Sequence, residues 1–166
     1  MAAAAKPRLP DLGPRGEGWV IGQFVLIGLL VVLSLPRLPD LWPADLATWL
    51  AFFVGVVGLG LGAWMVIRAV QDLGPSLTPL PNPRDDAQFV ESGIYARIRH
   101  PIYAGLILAA LGWSLLTRSV PALGAALALA LFLDAKARRE EAWLVERYAS
   151  YPAYRLRSKR FMPGVY

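Results

Sequence analysis

The chain has 166 residues, 56% of them hydrophobic and 17% charged, with a net charge of +5 at neutral pH and a mean hydropathy of +0.45. That length fits one domain, and the apolar residues gather in runs too long for an ordinary soluble fold. With no cysteine and a single histidine, His100, the sequence excludes disulfides, thiolate metal sites, a cysteine nucleophile and a multi-histidine metal centre. Basic charge set beside apolar runs points to the lipid bilayer as partner and away from nucleic acid.

Four segments read as membrane-spanning helices. The start, Met1 to Pro7, lacks the pattern of a signal peptide, and the first apolar run is late and long enough to span. It covers about Trp19 to Leu35 and ends at Pro36. The second covers about Leu46 to Ile67, the third Pro101 to Leu116, and the fourth Pro121 to Leu133. The last two fall short of the ~20 residues that cross a hydrocarbon core. Only Thr117 to Val120 joins them, which predicts a tight antiparallel hairpin with Pro101 and Pro121 in first helical turns. In the second segment, Gly58-x-x-x-Gly62 predicts close helix packing rather than a dinucleotide loop, because no strand precedes it. Trp19, Trp42, Trp49 and Trp64 lie near helix ends and read as interfacial anchors.

Between the second and third segments, Pro75, Pro79, Pro81 and Pro83 rule out a continuous helix. After the fourth, Lys136 to Tyr151 reads as a separate helix lying on the membrane surface and ended by Pro152, with Glu140, Leu144, Arg147 and Tyr151 on one face. Of the 17 lysines and arginines, only Arg37 and Arg118 fall on one side of this arrangement. The positive-inside rule then predicts a multi-pass protein of the cell (inner) membrane with both termini cytoplasmic. The expected fold is all-α: one membrane domain over 1–166, with four transmembrane helices and a C-terminal cytoplasmic interfacial helix.

Two polar clusters sit on that cytoplasmic side. Arg97, Arg99 and His100 precede Pro101, where the free N–H groups of a helix start attract a carboxylate or phosphate. Two readings stay open there: arginines that grip lipid headgroups around a helix-capping histidine, or a ligand site. The second cluster, Arg138-Arg139-Glu140-Glu141, is either a solvated face with weak local pairs or a source of one carboxylate facing the first cluster across the hairpin.

Taken together, Gly93-Ile94-Tyr95, Arg99-His100-Pro101-Ile102-Tyr103-Ala104-Gly105 and Glu140-Glu141-x-x-Leu144 resemble the C-terminal half of isoprenylcysteine carboxyl methyltransferases, within a wider group that includes membrane phospholipid N-methyltransferases. Tyr151-x-x-Tyr154-x-x-Arg157-x-x-Arg160-x-x-Pro163 is similar to bacterial members, and the resemblance spans roughly 73–163. It implies a membrane-embedded methyltransferase using S-adenosylmethionine, without metal, acting on a membrane lipid or other lipophilic small molecule. Its cofactor pocket would fall on Gln88, Phe89, Val90, Tyr95, His100, Pro101, Ile102, Tyr103 and Glu140, with Gly105 permitting close packing and Glu141 supporting the pocket. Arg99 and Lys136 match residues near the methyl acceptor. A carboxylate acceptor, ionised at pH 7, needs positioning and no general base, whereas an amine needs deprotonation. O-methylation of a lipophilic carboxylate is therefore expected. N-methylation of a phospholipid amine, and a non-catalytic lipid-binding protein, are the alternatives.

Overall fold

The computed structural model describes residues 10, 12–78, 80, 89–162 and 164. Five α-helices carry the fold: α1 (Glu17–Ser34), α2 (Leu46–Leu73), α3 (Pro101–Thr117), α4 (Val120–Arg147) and α5 (Tyr151–Arg157). Short 3-10 turns follow α1 and α2, and another, Gly93–Ala96, precedes α3. Among the described residues there is no strand, only an isolated parallel bridge between Ile98 and Lys159.

α1, α2 and α4 are long and apolar enough to cross a membrane; α3, with 17 residues, is apolar but shorter. Large apolar side chains on the outside, such as Phe24, Phe53 and Leu131, are exposed, which suits a chain whose surrounding solvent is lipid. The core instead joins Leu30 of α1, Ala110 of α3, and Ala122, Ala126, Leu129 and Leu133 of α4.

α2 packs mainly on α3 through small residues. A Cβ on Gly62 would sit 2.5 Å from the Gly105 carbonyl, and one on Gly55 would sit 2.6 Å from the Leu116 nitrogen. Backbones therefore meet directly along this seam, as the spacing of Gly58 and Gly62 predicts. The α3–α4 turn is as tight as expected. Arg118 adopts φ 51 to close α3, and the Ser119 hydroxyl caps α4 by accepting from the Ala122 N–H at 3.2 Å.

Three expectations are corrected. The fourth span and the surface helix are one helix, Val120–Arg147. Charge marks where a helix leaves hydrocarbon, but Asp134 to Ala142 holds good helix formers and no breaker, so the backbone ladder continues. Pro152 does not end that helix; the chain turns at 148–150 and Pro152 occupies the first turn of α5. Trp19 is buried rather than interfacial, packed 5.1 Å from Phe132 with its indole N–H donating to the Pro10 carbonyl.

Candidate active site

The hairpin returns α4 to the end of the bundle where α3 begins, and the two polar clusters meet there. The His100 side chain does not cap α3. Its ring stacks flat on Tyr103, 5.3 Å between centroids, with Nδ1 3.6 Å from Glu140 Oε2 and Nε2 3.4 Å from Glu141 Oε1. The Tyr103 hydroxyl donates to Glu140 Oε2 at 2.8 Å. One helical step apart, the two glutamates meet opposite nitrogens of the same ring.

Glu141 is a buried hub. It accepts from Arg99 Nε at 2.9 Å and from Arg160 Nε and Nη2, each at 3.2 Å, with Arg155 Nε 3.6 Å away. Arg99 also donates to the carbonyls of Arg155 and Ser158. The tail runs beside it: Arg99 N–H donates to Lys159 O at 2.7 Å, Lys159 N–H to Arg97 O at 2.9 Å, and His100 N–H to Arg160 O at 3.1 Å. The Arg99 guanidinium is thus engaged within the chain, and Arg97 is exposed. The C-terminal tail is fastened across the start of α3 by its own basic residues.

A cavity of ≈ 330 Å³ lies beside this hub, within the size range of small-molecule sites. Of the residues expected at a site, Phe89, Val90, Tyr95, Arg99, His100, Pro101, Ile102, Tyr103, Lys136 and Glu140 line it. Gly105 does not, because it is used in the α2–α3 seam, and Glu141 stands behind the wall. Gln88 lies outside the described residues.

The sequence reading missed two parts of the wall. One is α1, which supplies Val20, Gln23 and Phe24. Gln23 is the only amide or charged side chain between Glu17 and Ser34, and a lone polar group in an apolar run usually faces the interior. The other is the aromatic set Tyr148, Tyr151 and Tyr154, whose rings surround Phe89 at 5.2, 5.7 and 5.2 Å. Tyr154 donates to the Tyr95 carbonyl at 2.6 Å, and Asp72 anchors the same turn by accepting from the Ile94 N–H at 2.8 Å.

Burial pushes the phenols of Tyr95 and Tyr151 well above their ordinary range, with nearby Glu140 adding to both, and burial raises Tyr154 to about 12. All three are hydroxyl donors at neutral pH. Among the described residues one of the cavity's buried polar atoms, Tyr151 Oη, has no hydrogen-bond partner, while His100 Nε2 is directed at Glu141 Oε1, 3.4 Å away. Buried polar groups rarely stay unpaired, so the Tyr151 hydroxyl suits a polar ligand. Deeper in, Lys136 is almost fully buried; its Nζ donates to Gln23 Oε1 at 2.8 Å and sits 5.0 Å over the Tyr103 ring. Among the described residues no carboxylate lies within ion-pair distance of it.

Fold and cavity together define a membrane protein, helical throughout its described residues, with a cavity of mixed polar and apolar lining at one end of its bundle. The chain belongs to the phospholipid methyltransferase family, whose model matches residues 50–151, from early α2 to the start of α5. No curated protein matches the chain closely enough to add to this.

Proposed function

We propose that this protein transfers a methyl group from S-adenosylmethionine to a lipophilic carboxylate at the cytoplasmic face of the membrane. Family membership supports methyl transfer. The observation that carries the choice of acceptor is Lys136, a buried lysine with no carboxylate within ion-pair distance among the described residues; Glu140, one turn along α4, acts on it through space and accepts from Tyr103 instead. A buried charge without a counter-ion in contact is costly, and an anionic acceptor lowers that cost.

The cofactor would supply a methyl group already activated on a sulfonium. The chain's own residues then bind, align and exclude water. Glu140 offers a carboxylate to amine or hydroxyl groups, and Tyr151 offers its unpartnered hydroxyl. Arg99, tied to Glu141 and two carbonyls, acts by holding the tail and the start of α3 in place. The anion-binding role passes to Lys136. Val20 and Phe24 make an apolar flank where α1 faces lipid, so an acceptor reaches the chamber sideways with its tail still in the bilayer.

A second reading takes the family's name at its word, with a phospholipid amine as acceptor. Lys136 favours it in one respect: a buried lysine that gives up its proton becomes a base for an ammonium headgroup. Incubation of purified protein with methyl-labelled cofactor and total membrane lipid separates the readings. Label released by mild base marks an ester and supports the carboxylate; base-stable label in an amine overturns it. Failure to bind the cofactor leaves a non-catalytic lipid-binding protein.

A further inference from the structure

Helix α1 precedes the matched segment 50–151, yet it closes one side of the cavity. Its single polar contribution, Gln23, holds the Lys136 ammonium. A lysine has a flexible four-carbon stem and three donors. Here Gln23 Oε1 fixes it from one side and the Tyr103 ring face from another. The identity of that partner matters. A carboxylate at position 23 would fix and neutralise the ammonium, whereas an amide oxygen fixes it and leaves its charge in place. Glu140 lies one turn away and is engaged by Tyr103, so position 23 decides whether Lys136 meets a counter-charge at contact distance.

We propose that Gln23 is the residue that sets acceptor-headgroup specificity, by holding Lys136 with a neutral partner so that the chamber takes an anionic headgroup and rejects a cationic one. The fate of a bound lipid rests on the methyltransferase reading; the selection itself does not. A second cation brought against Lys136 in a desolvated chamber meets unscreened repulsion, and an anion finds a partner held in position. Val20 and Phe24, one turn of the same helix, flank the tail of whichever lipid enters.

The test uses two single-chain probes with the same tail and opposite charge, hexadecanoate and hexadecylamine, bound to the full chain in nanodiscs. The parent protein is expected to bind hexadecanoate at least about tenfold more tightly than hexadecylamine. Gln23→Glu, close in shape, is expected to bring that ratio to one or below. A merely structural role for Gln23 would weaken both probes alike. The proposal is overturned if the parent shows no preference, if Gln23→Glu keeps the parent's ratio, or if both probes weaken equally. Should Gln23→Glu fail to fold, Gln23→Leu serves: it is expected to weaken hexadecanoate selectively, and a parent-like affinity overturns the proposal. If the parent sorts the probes but never binds the cofactor, the methyltransferase reading fails while the specificity assignment stands.

Discussion

Replacing Glu141 with glutamine tests the charged hub that fastens the tail. Its side chain is 4% exposed, and the paired guanidiniums of Arg99 and Arg160 are 10% and 13% exposed, so solvent does little to screen them. Hydrogen bonds to charged groups are worth ~1.5–3 kcal/mol each, and breaking one partner of a buried pair costs ~3–5 kcal/mol. Glutamine keeps one acceptor oxygen, so the lower end, about 3 kcal/mol, is the expected loss. At roughly 2–4 °C per kcal/mol for a chain of this length, Glu141→Gln should melt about 6–12 °C below the parent. Tryptophan emission during heating in detergent reads this directly, since the chain carries 6 tryptophans. Glu140→Gln is the matched comparison. It removes the charge that Tyr103 and His100 face within the cavity, and should leave ligand-free melting close to the parent. Its cofactor affinity should fall roughly tenfold to over a hundredfold, the worth of one charged hydrogen bond. A Glu141→Gln protein melting within about 2 °C of the parent, under 1 kcal/mol on the same scale, would refute the claim that the tail is held through this carboxylate.

Three further outcomes are expected. Tyr151→Phe removes a buried hydroxyl without a partner, so ligand-free melting should hold or rise while cofactor affinity drops by about threefold to tenfold, the worth of a neutral hydrogen bond; titration calorimetry and melting on one preparation check both signs. Gly62→Ala forces a methyl against the α3 backbone and should cost ~1–3 kcal/mol, whereas Gly60→Ala, with nothing within 4 Å, should hold or raise stability, and parallel melting curves separate them. In intact cells a membrane-impermeant maleimide should label Ala44→Cys and miss Ala153→Cys, both exposed and both introduced into a chain without cysteine; labelling of Ala153→Cys would overturn the cytoplasmic placement of the cavity.

Residues whose signal is local were legible in the sequence. Gly58 and Gly62 announce close helix packing by spacing alone, and Ser119 with Pro121 announces the start of α4. His100, Tyr103 and Glu140 were legible as a group through the resemblance, and the short hairpin made their meeting one of two open readings. What sequence reasoning missed depends on long-range packing. Gln23 is 113 residues from Lys136, and no pattern within α1 says which helix receives it. Arg99 looks like a free anion receptor when read beside Pro101, and only the returning tail reveals Glu141 and two carbonyls as its partners. The end of α4 was misplaced for a different reason. A change from apolar to charged residues records a change of solvent, and the helix continues through it because its hydrogen bonds are internal.

That continuity gives α4 a metrical consequence. Lys136 and Glu140 stand on one unbroken rod, four residues apart, and a rise of ~1.5 Å per residue separates them by about 6 Å along its axis. No hinge lies between the two positions, so on the proposed reading the offset between the group assigned to the acceptor and the group assigned to the cofactor is constant. The rod works as a depth gauge. A lipid whose reactive atom rides a few ångströms higher or lower in the leaflet presents it out of line, whatever its charge. On that reading, selection by immersion depth would operate alongside selection by headgroup, and it would arise from a helix that did not stop where its polarity changed.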